Sequence, residues 1–171
     1  LPSNLIEDLI VDSTNIWVAT PLGLAKMDTA NNAVNVLTSA NGMLGTSSWG
    51  LITTSDSSGN TQVHVSHDGA GSERPGITSI DGTTALVIQT HRFDQLPSNT
   101  VTALASDWWG LHIATDVGPM THWNGISAQF EDGSAAFQVP SWPVEKLVSN
   151  GDQLLAIGRA VSYTHLRAHE T

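Results

Sequence analysis

Histidine is the residue type in this chain whose chemistry is most versatile, because an imidazole can bind a metal ion or transfer a proton near neutral pH. His64 and His67 are three residues apart in a segment that reads as a β-strand. That spacing places their side chains on opposite faces of a sheet, where they cannot share a metal ion. His122 stands beside Trp123 with no second ligand at a metal-like spacing. The sequence therefore predicts no metal site and no cofactor.

Aspartate recurs at one position of a repeated pattern, at Asp12, Asp56 and Asp107. An aspartate in a turn bonds its own backbone, so a recurring one is typical of a turn-former, whereas catalysis needs one asymmetric site. The chain has no cysteine, and we find no paired carboxylates, nucleophile elbow or phosphate-binding loop. We therefore predict no catalytic residues and no enzymatic activity.

Tryptophan offers a different function, because an exposed aromatic residue in a loop often marks a binding surface. Trp108 and Trp109 lie in a predicted turn, and His112 follows them at a position that Trp17 occupies in another copy of the pattern. We predict that Trp108, Trp109 and His112 contact a ligand or a partner. The other tryptophans are expected to fill the spaces between sheets: Trp17, Trp49, Trp123 and Trp142.

The elements that must position these residues come from an internal repeat. LPSNLIEDLIVDSTNIWVATPLG begins at Leu1, LPSNTVTALASDWWGLHIATDVG begins at Leu96, and the two copies align without a gap in the alignment. A diverged copy around Val63–Asp68 lies halfway between them, and an incomplete fourth copy follows at Leu155–Gly158. A period of roughly 40–50 residues built from short strands is typical of β-propeller blades.

Each copy reads as strands joined by turns. Leu5–Val11 and Val101–Ala105 are predicted first strands, and Ile16–Thr20 and Leu111–Thr115 are predicted second strands. Gly23 and Gly118 open the predicted third strands. The middle copy has a longer first hairpin, followed by strands at Gly76–Ile80 and Ala85–Thr90 around an Asp-Gly turn. Almost no helix is expected.

The predicted fold is therefore all-β: a β-propeller fragment of about three antiparallel blades plus part of a fourth, arranged as an open arc. We assign residues 1–45 to blade 1, 46–95 to a diverged blade 2, 96–143 to blade 3 and 144–160 to a partial blade 4. An open arc would expose one blade face at each end.

Charge excludes one class of partner. The net charge is −10, and a nucleic-acid-binding protein would need clustered Lys and Arg. No apolar run approaches the roughly 18 residues of a membrane helix. We expect neither nucleic acid nor a membrane segment in this part of the chain.

The pattern LPSN-x-[VI]-x-x-L-x-x-D followed by [WH]-[VI]-A-T-x-x-G resembles the two-component regulator propeller repeat. Leu1–Asp28 carries it best, and Leu96–Gly118 matches nearly as well, with Pro119 in place of the family's Leu. The resemblance implies tandem blades in extracytoplasmic sensor regions or in large secreted proteins. Thr54–Thr61 also faintly resembles the Asp-box hairpin of sialidase-like propellers, a structural turn remote from their chemistry.

The resemblance leaves three functional hypotheses. The first is a non-catalytic segment that binds a small ligand, a glycan or a protein outside the cytoplasm, together with further blades of the same chain. The second is part of an enzyme propeller, a lyase of the virginiamycin B type or a glycan-active hydrolase. That enzyme would need His64, His112 and a carboxylate to converge. The third is a structural spacer in a surface protein.

The last residues, VSYTHLRAHET at 161–171, match no part of the repeat. They resemble one reading frame of a transposase adaptor used in sequencing. We expect them to be a non-native tail on a metagenomic fragment that is truncated at both ends, so that His165 and His169 have no functional meaning.

Overall fold

The computed structural model of the protein describes residues 1–12, 14–45, 47–56, 58–68, 76–92, 96, 98, 100–107, 110–117, 120–123, 131–132, 144–150, 153–158 and 162–167. The chain divides into two compact units, Leu1–Phe93 and Asp94–Thr171, and each unit is described by itself.

The first unit contains two four-stranded antiparallel sheets in which the strands follow one another in chain order. The first sheet consists of β1 (Asp8–Val11), β2 (Asn15–Thr20), β3 (Gly23–Asp28) and β4 (Val34–Leu37). The second sheet consists of β5 (Leu51–Ser55), β6 (Thr61–His67), β7 (Gly76–Asp81) and β8 (Val87–Arg92). One 3-10 turn, Ser39–Asn41, lies between them, capped by Thr38.

The second unit repeats this topology. The third sheet consists of β9 (Val101–Asp107), β10 (Gly110–Thr115), β11 (Thr121–Trp123) and β12 (Glu131–Asp132). The fourth sheet consists of β13 (Lys146–Ser149), β14 (Gln153–Ile157) and β15 (Ser162–Arg167). The backbone of the adaptor-like tail thus pairs with β14, since a ladder of main-chain hydrogen bonds depends little on side-chain identity.

The core of the first unit lies between its two sheets. Trp17, with no solvent exposure, lies in one apolar cluster with Leu24 and Leu37 of the first sheet. The second sheet contributes Leu51, Val63, Val65 and Ile80 to the same cluster. Trp17 also lies under the ammonium group of Lys26, whose Nζ is 5.4 Å from the ring centroid and donates a 2.6 Å hydrogen bond to the carbonyl of Thr83. The two sheets are therefore joined by apolar burial and by one cation.

The segment that connects the two sheets is fastened to the second sheet by His67. Its Nδ1–H donates to the carbonyl of Ser47 at 2.8 Å, because a carbonyl can only accept. Its Nε2 then accepts from the hydroxyl of Thr78 at 2.9 Å, and that hydroxyl oxygen accepts from the backbone N–H of Leu44. One buried imidazole thereby holds both ends of residues 44–47.

In the second unit, the first strands of the two sheets, β9 and β13, contact each other although they belong to different sheets. Thr102 on β9 donates a 2.5 Å hydrogen bond to the carbonyl of Val144, which precedes β13 and is almost fully buried. The first unit has the same arrangement, where a carboxylate oxygen of Asp8 on β1 accepts the backbone N–H of Leu51 on β5.

The expected all-β class with successive antiparallel blade-type sheets is confirmed. No α-helix occurs in the described ranges. The lengthened first hairpin of the middle copy is also confirmed, since residues 56–60 connect β5 to β6 where residues 12–14 connect β1 to β2. The blade boundaries at 1–45, 46–95, 96–143 and 144–160 stay a prediction. Gly118 and Trp142 lie outside the described residues.

One prediction about packing is wrong. Trp49 was expected to fill a space between sheets, but 41% of its surface is exposed. Its backbone N–H is bonded to the carbonyl of Ser66, which fixes the main chain while the indole remains at the surface. Trp17, by contrast, is buried between two sheets as expected.

Candidate functional site

The first hairpin of the first sheet is organised by the carboxylate of Asp12. Its Oδ1 accepts the backbone N–H groups of Thr14 at 3.0 Å and Asn15 at 2.8 Å. Its Oδ2 accepts the indole N–H of Trp17 at 2.9 Å. Burial alone would raise the pKa of Asp12, but these hydrogen bonds to the ionised form lower it below 3.8.

The equivalent hairpin of the third sheet uses the same geometry. Oδ1 of Asp107 accepts the backbone N–H of Gly110 at 3.1 Å, and its Oδ2 is 2.9 Å from Nε2 of His112. Since a carboxylate only accepts, Nε2 of His112 carries the hydrogen. Asp107 and Gly110 also pair across the two strands. The two tryptophans between them, Trp108 and Trp109, lie outside the described residues.

In the second sheet the aspartate keeps its role, but the partner is different. Oδ1 of Asp56 accepts the backbone N–H groups of Ser58 and Asn60, and Oδ2 accepts the side-chain amide of Asn60 at 3.0 Å. The turn is longer, and His64, at the position of Trp17, bonds elsewhere. The structural role predicted for the three aspartates is confirmed.

His64 is held between two hydroxyl groups. Its Nε2 is 2.7 Å from Oγ1 of Thr54, and its Nδ1 is 2.9 Å from Oγ of Ser79. Burial lowers the pKa of His64 to about 4, so the imidazole is neutral at neutral pH. Burial also lowers the pKa of His67 to about 4. Because Ser79 and Thr78 are adjacent on β7, the two histidines do point to opposite faces, as expected.

The structure brings His122 next to His112, which sequence reasoning did not foresee. The two residues pair across β10 and β11, and their ring centroids are 5.0 Å apart at an angle of 47°. Both side chains are buried: His112 has no solvent exposure, and His122 is 3% exposed. Equivalent cross-strand pairs in the first unit are Trp17 with Lys26 and His64 with Ser79. The contact between the two histidines depends on the register of this hairpin. The register inferred from the first copy of the repeat differs from the observed one by one residue.

Of the three residues predicted to contact a ligand or partner, the structure describes only His112. His112 is fully buried and bonded to Asp107, so it holds the base of the turn. Among the described residues, no group of three His, Asp or Glu side chains comes close enough together to hold a metal ion. No helix in the described part of the chain is long and apolar enough to cross a membrane.

Comparison with solved structures gives the fold. The chain superposes with a TM-score of 0.67 on the extracellular domain of BT4673, a hybrid two-component system protein from B. thetaiotaomicron. The sequences are 16% identical, and the match covers 92% of this chain and 20% of the other. This chain thus spans about a fifth of that domain.

Two further solved structures resemble this chain. The computationally designed Ika4 protein matches with a TM-score of 0.62 at 14% identity, covering 94% of this chain and 91% of the other. The complex of KlAtg21 with the coiled-coil of AgAtg16 matches with a TM-score of 0.59 at 14% identity, covering 90% and 49%. At such identities the likeness concerns the fold alone. No family model and no curated protein matches the chain.

Proposed function

We propose that this chain is a non-catalytic β-propeller segment that recognises a ligand or a partner, and that it belongs to the two-component regulator propeller repeat type. The proposal places it in a larger extracytoplasmic sensor or secreted protein. Its support is the repeat pattern together with the fold that it shares with an extracellular domain of a two-component system protein.

One observation carries the non-catalytic part. The carboxylate of Asp107 accepts a ring N–H from His112 at 2.9 Å, and the carboxylate of Asp12 accepts a ring N–H from Trp17 at the same distance and the same spacing of five residues. An indole N–H cannot act as a general base. A bond that works equally well with indole is a structural brace, so the resemblance of Asp107 and His112 to a catalytic pair is superficial.

The same observation supports a binding site at this hairpin. The brace fixes Asp107 and Gly110, the residues on either side of Trp108 and Trp109, while it removes His112 from the surface. We propose that the two tryptophans contact the ligand and that His112, through its bond to Asp107, fixes the strand that they follow in the sequence. Since the net charge is −10, a neutral or cationic ligand is favoured over an anionic one.

The test measures binding of neutral oligosaccharides by isothermal titration calorimetry. The variant Trp108→Ala/Trp109→Ala is expected to lose binding, while Trp49→Ala, which removes an exposed tryptophan of the first unit, is expected to retain it. If both variants bind like the unchanged chain, the proposed site is wrong. If the unchanged chain converts a sugar of the panel into a product, the non-catalytic proposal is wrong.

A further inference from the structure

Strand β4 forms the outer edge of the first sheet: it pairs with β3 on one side, and within the described residues no strand pairs with its other side. Its residues are Val34, Asn35, Val36 and Leu37, and only Leu37 is buried. Val34 and Val36 are 48% and 38% exposed. An outer strand with unpaired main-chain groups can pair with another strand unless something blocks it.

The second and third sheets do protect their outer strands. Strand β8 carries His91 and Arg92, and its ladder with β7 is interrupted at Ser79/Ile80. Within the described residues, β12 comprises Glu131 and Asp132, which are both acidic. Charge and irregular register are devices that prevent pairing between edges. Strand β4 carries no charged residue, and its ladder with β3 has no register shift.

The chain segment that contains β4 is also free of charge, although Lys26 of the neighbouring β3 pairs with Asn35. Residues 29–55 contain no Asp, Glu, Lys, Arg or His, although the whole chain has a net charge of −10. This is the longest such stretch in the sequence. Two copies of a strongly acidic protein would repel one another over most of their surfaces, but they can approach here with little repulsion.

The side chains of β4 suit pairing with an identical strand. Val34 and Val36 lie on the sheet face of their paired residues Met27 and Ala25, which is apolar, and Asn35 lies on the other face. In an antiparallel pair centred on Asn35, each Val34 would face Val36 of the second copy and the two Asn35 amides would face each other. Valine pairs and an amide pair are favourable cross-strand neighbours.

We propose that this surface binds a second copy of the chain, through antiparallel pairing of the two β4 strands around a twofold axis at Asn35. The first sheets of the two copies then form one continuous sheet of eight strands. The contact is isologous, so it closes at two copies and does not propagate into a fibre. Because it buries few side chains, it is a weak, concentration-dependent dimer.

The first test is sedimentation velocity over a concentration series in the micromolar range. The unchanged chain is expected to shift from monomer to dimer. Asn35→Lys places two like charges opposite each other and should weaken the dimer by more than about tenfold, since such a juxtaposition costs several kcal/mol. Gln89→Lys adds the same charge to an exposed position of β8 and should leave the dimer intact. Circular dichroism checks that both variants fold.

The second test mixes two variants. Asn35→Lys and Asn35→Asp chains should each be monomeric alone and should form a heterodimer when mixed, because opposite charges then face each other across the axis. The proposal is overturned if the unchanged chain stays monomeric throughout the series. It is also overturned if Asn35→Lys and Gln89→Lys weaken the dimer equally, or if the mixture stays monomeric.

Discussion

The carboxylate of Asp107 accepts hydrogen bonds from one backbone group and from one fully buried imidazole. Asp107→Ala removes both acceptors and leaves the Nε2–H of His112 buried without that partner. We expect this variant to lower the free energy of unfolding of the second unit by about 2 kcal/mol, the usual cost of stranding a buried donor. Chemical denaturation measures the loss.

Asp116→Ala is the matched control for this change, because Asp116 is an exposed aspartate in the next turn of the same sheet. Its substitution should change stability by less than about 0.5 kcal/mol. Equal losses in the two variants would contradict the role of Asp107 as a brace.

His64 and His67 make the first unit sensitive to acid. In the unfolded chain they bind protons near pH 6.5, whereas burial lowers their pKa in the folded chain to about 4. Their contribution to stability is therefore complete above pH 6.5 and is lost as the pH falls towards 4. The loss is about 3 kcal/mol per histidine over this interval. Urea denaturation at several pH values measures it.

The double variant His64→Gln/His67→Gln separates these residues from the carboxylates. The pKa values of Asp12, Asp56 and Asp81 are all lowered from 3.8 by hydrogen bonds, so they destabilise the fold only at lower pH. The variant will be less stable overall, but its stability between pH 6.5 and 4 should be nearly constant. A slope like that of the unchanged chain would rule out the histidines as its cause.

At the scale of the element, the hairpin between β2 and β3 depends on Gly23. Its φ is +140°, and a Cβ built on it would lie 2.7 Å from the carbonyl oxygen of Leu37. Gly23→Ala should therefore destabilise the first sheet by more than about 2 kcal/mol, since both backbone strain and a main-chain clash oppose it.

Gly59 in the hairpin between β5 and β6 provides the comparison. Its φ is +80°, but a Cβ there would meet nothing within 4 Å. Gly59→Ala should cost only the backbone term of about 1 kcal/mol. Thermal unfolding of the two variants distinguishes them, and an equal loss would mean that the contact with Leu37 relaxes freely.

The elements that could be predicted from sequence are those whose cause is local. The aspartate turns follow from one residue type at a repeated spacing, and a short apolar run bounded by turn residues marks strands such as β2. The motif's threonine also has a local role: the hydroxyls of Thr20 and Thr115 donate to carbonyls in the turn that follows. These features need no knowledge of the remainder of the fold.

The pairing of His112 with His122 could not be predicted in the same way. By analogy with the pair Thr20–Gly23, Thr115 should pair with Gly118, which would place His112 opposite Thr121. In the structure His112 pairs with His122, because the hairpin of the third sheet is one residue longer. A slip of one residue moves every side chain of the strand to the other face, so turn length decided the composition of the site.

At the scale of the whole molecule, the core shared by the first and second sheets makes them one cooperative unit. Trp17→Ala should destabilise the first unit by about 3–5 kcal/mol, because a large buried aromatic side chain is removed. Hydrogen exchange should accelerate in both sheets, including β6 and β7, which do not contain the mutation. Acceleration confined to β1–β4 would contradict a shared core.

The exposed Trp49 could not be foreseen at this scale either. A large aromatic side chain is expected to be buried. Trp49, however, follows the fully buried Ser48 in a connecting segment whose backbone is bonded to Ser66 and Thr20. Main-chain attachment therefore fixed the direction of the side chain. Which tryptophan is buried depends on how the segments between sheets are fastened, and that is a tertiary property.

The aspartate brace has a practical consequence. It anchors a hairpin through a side chain that bonds residues at or next to the start of the second strand, and the repeats already carry different sequences between the aspartate and that strand. These sequences are Ser13-Thr14, Ser57 to Gly59, and Trp108-Trp109. Short foreign peptides, such as an epitope or a metal-binding sequence, could be grafted between Asp107 and Gly110 while the sheet below stays unchanged.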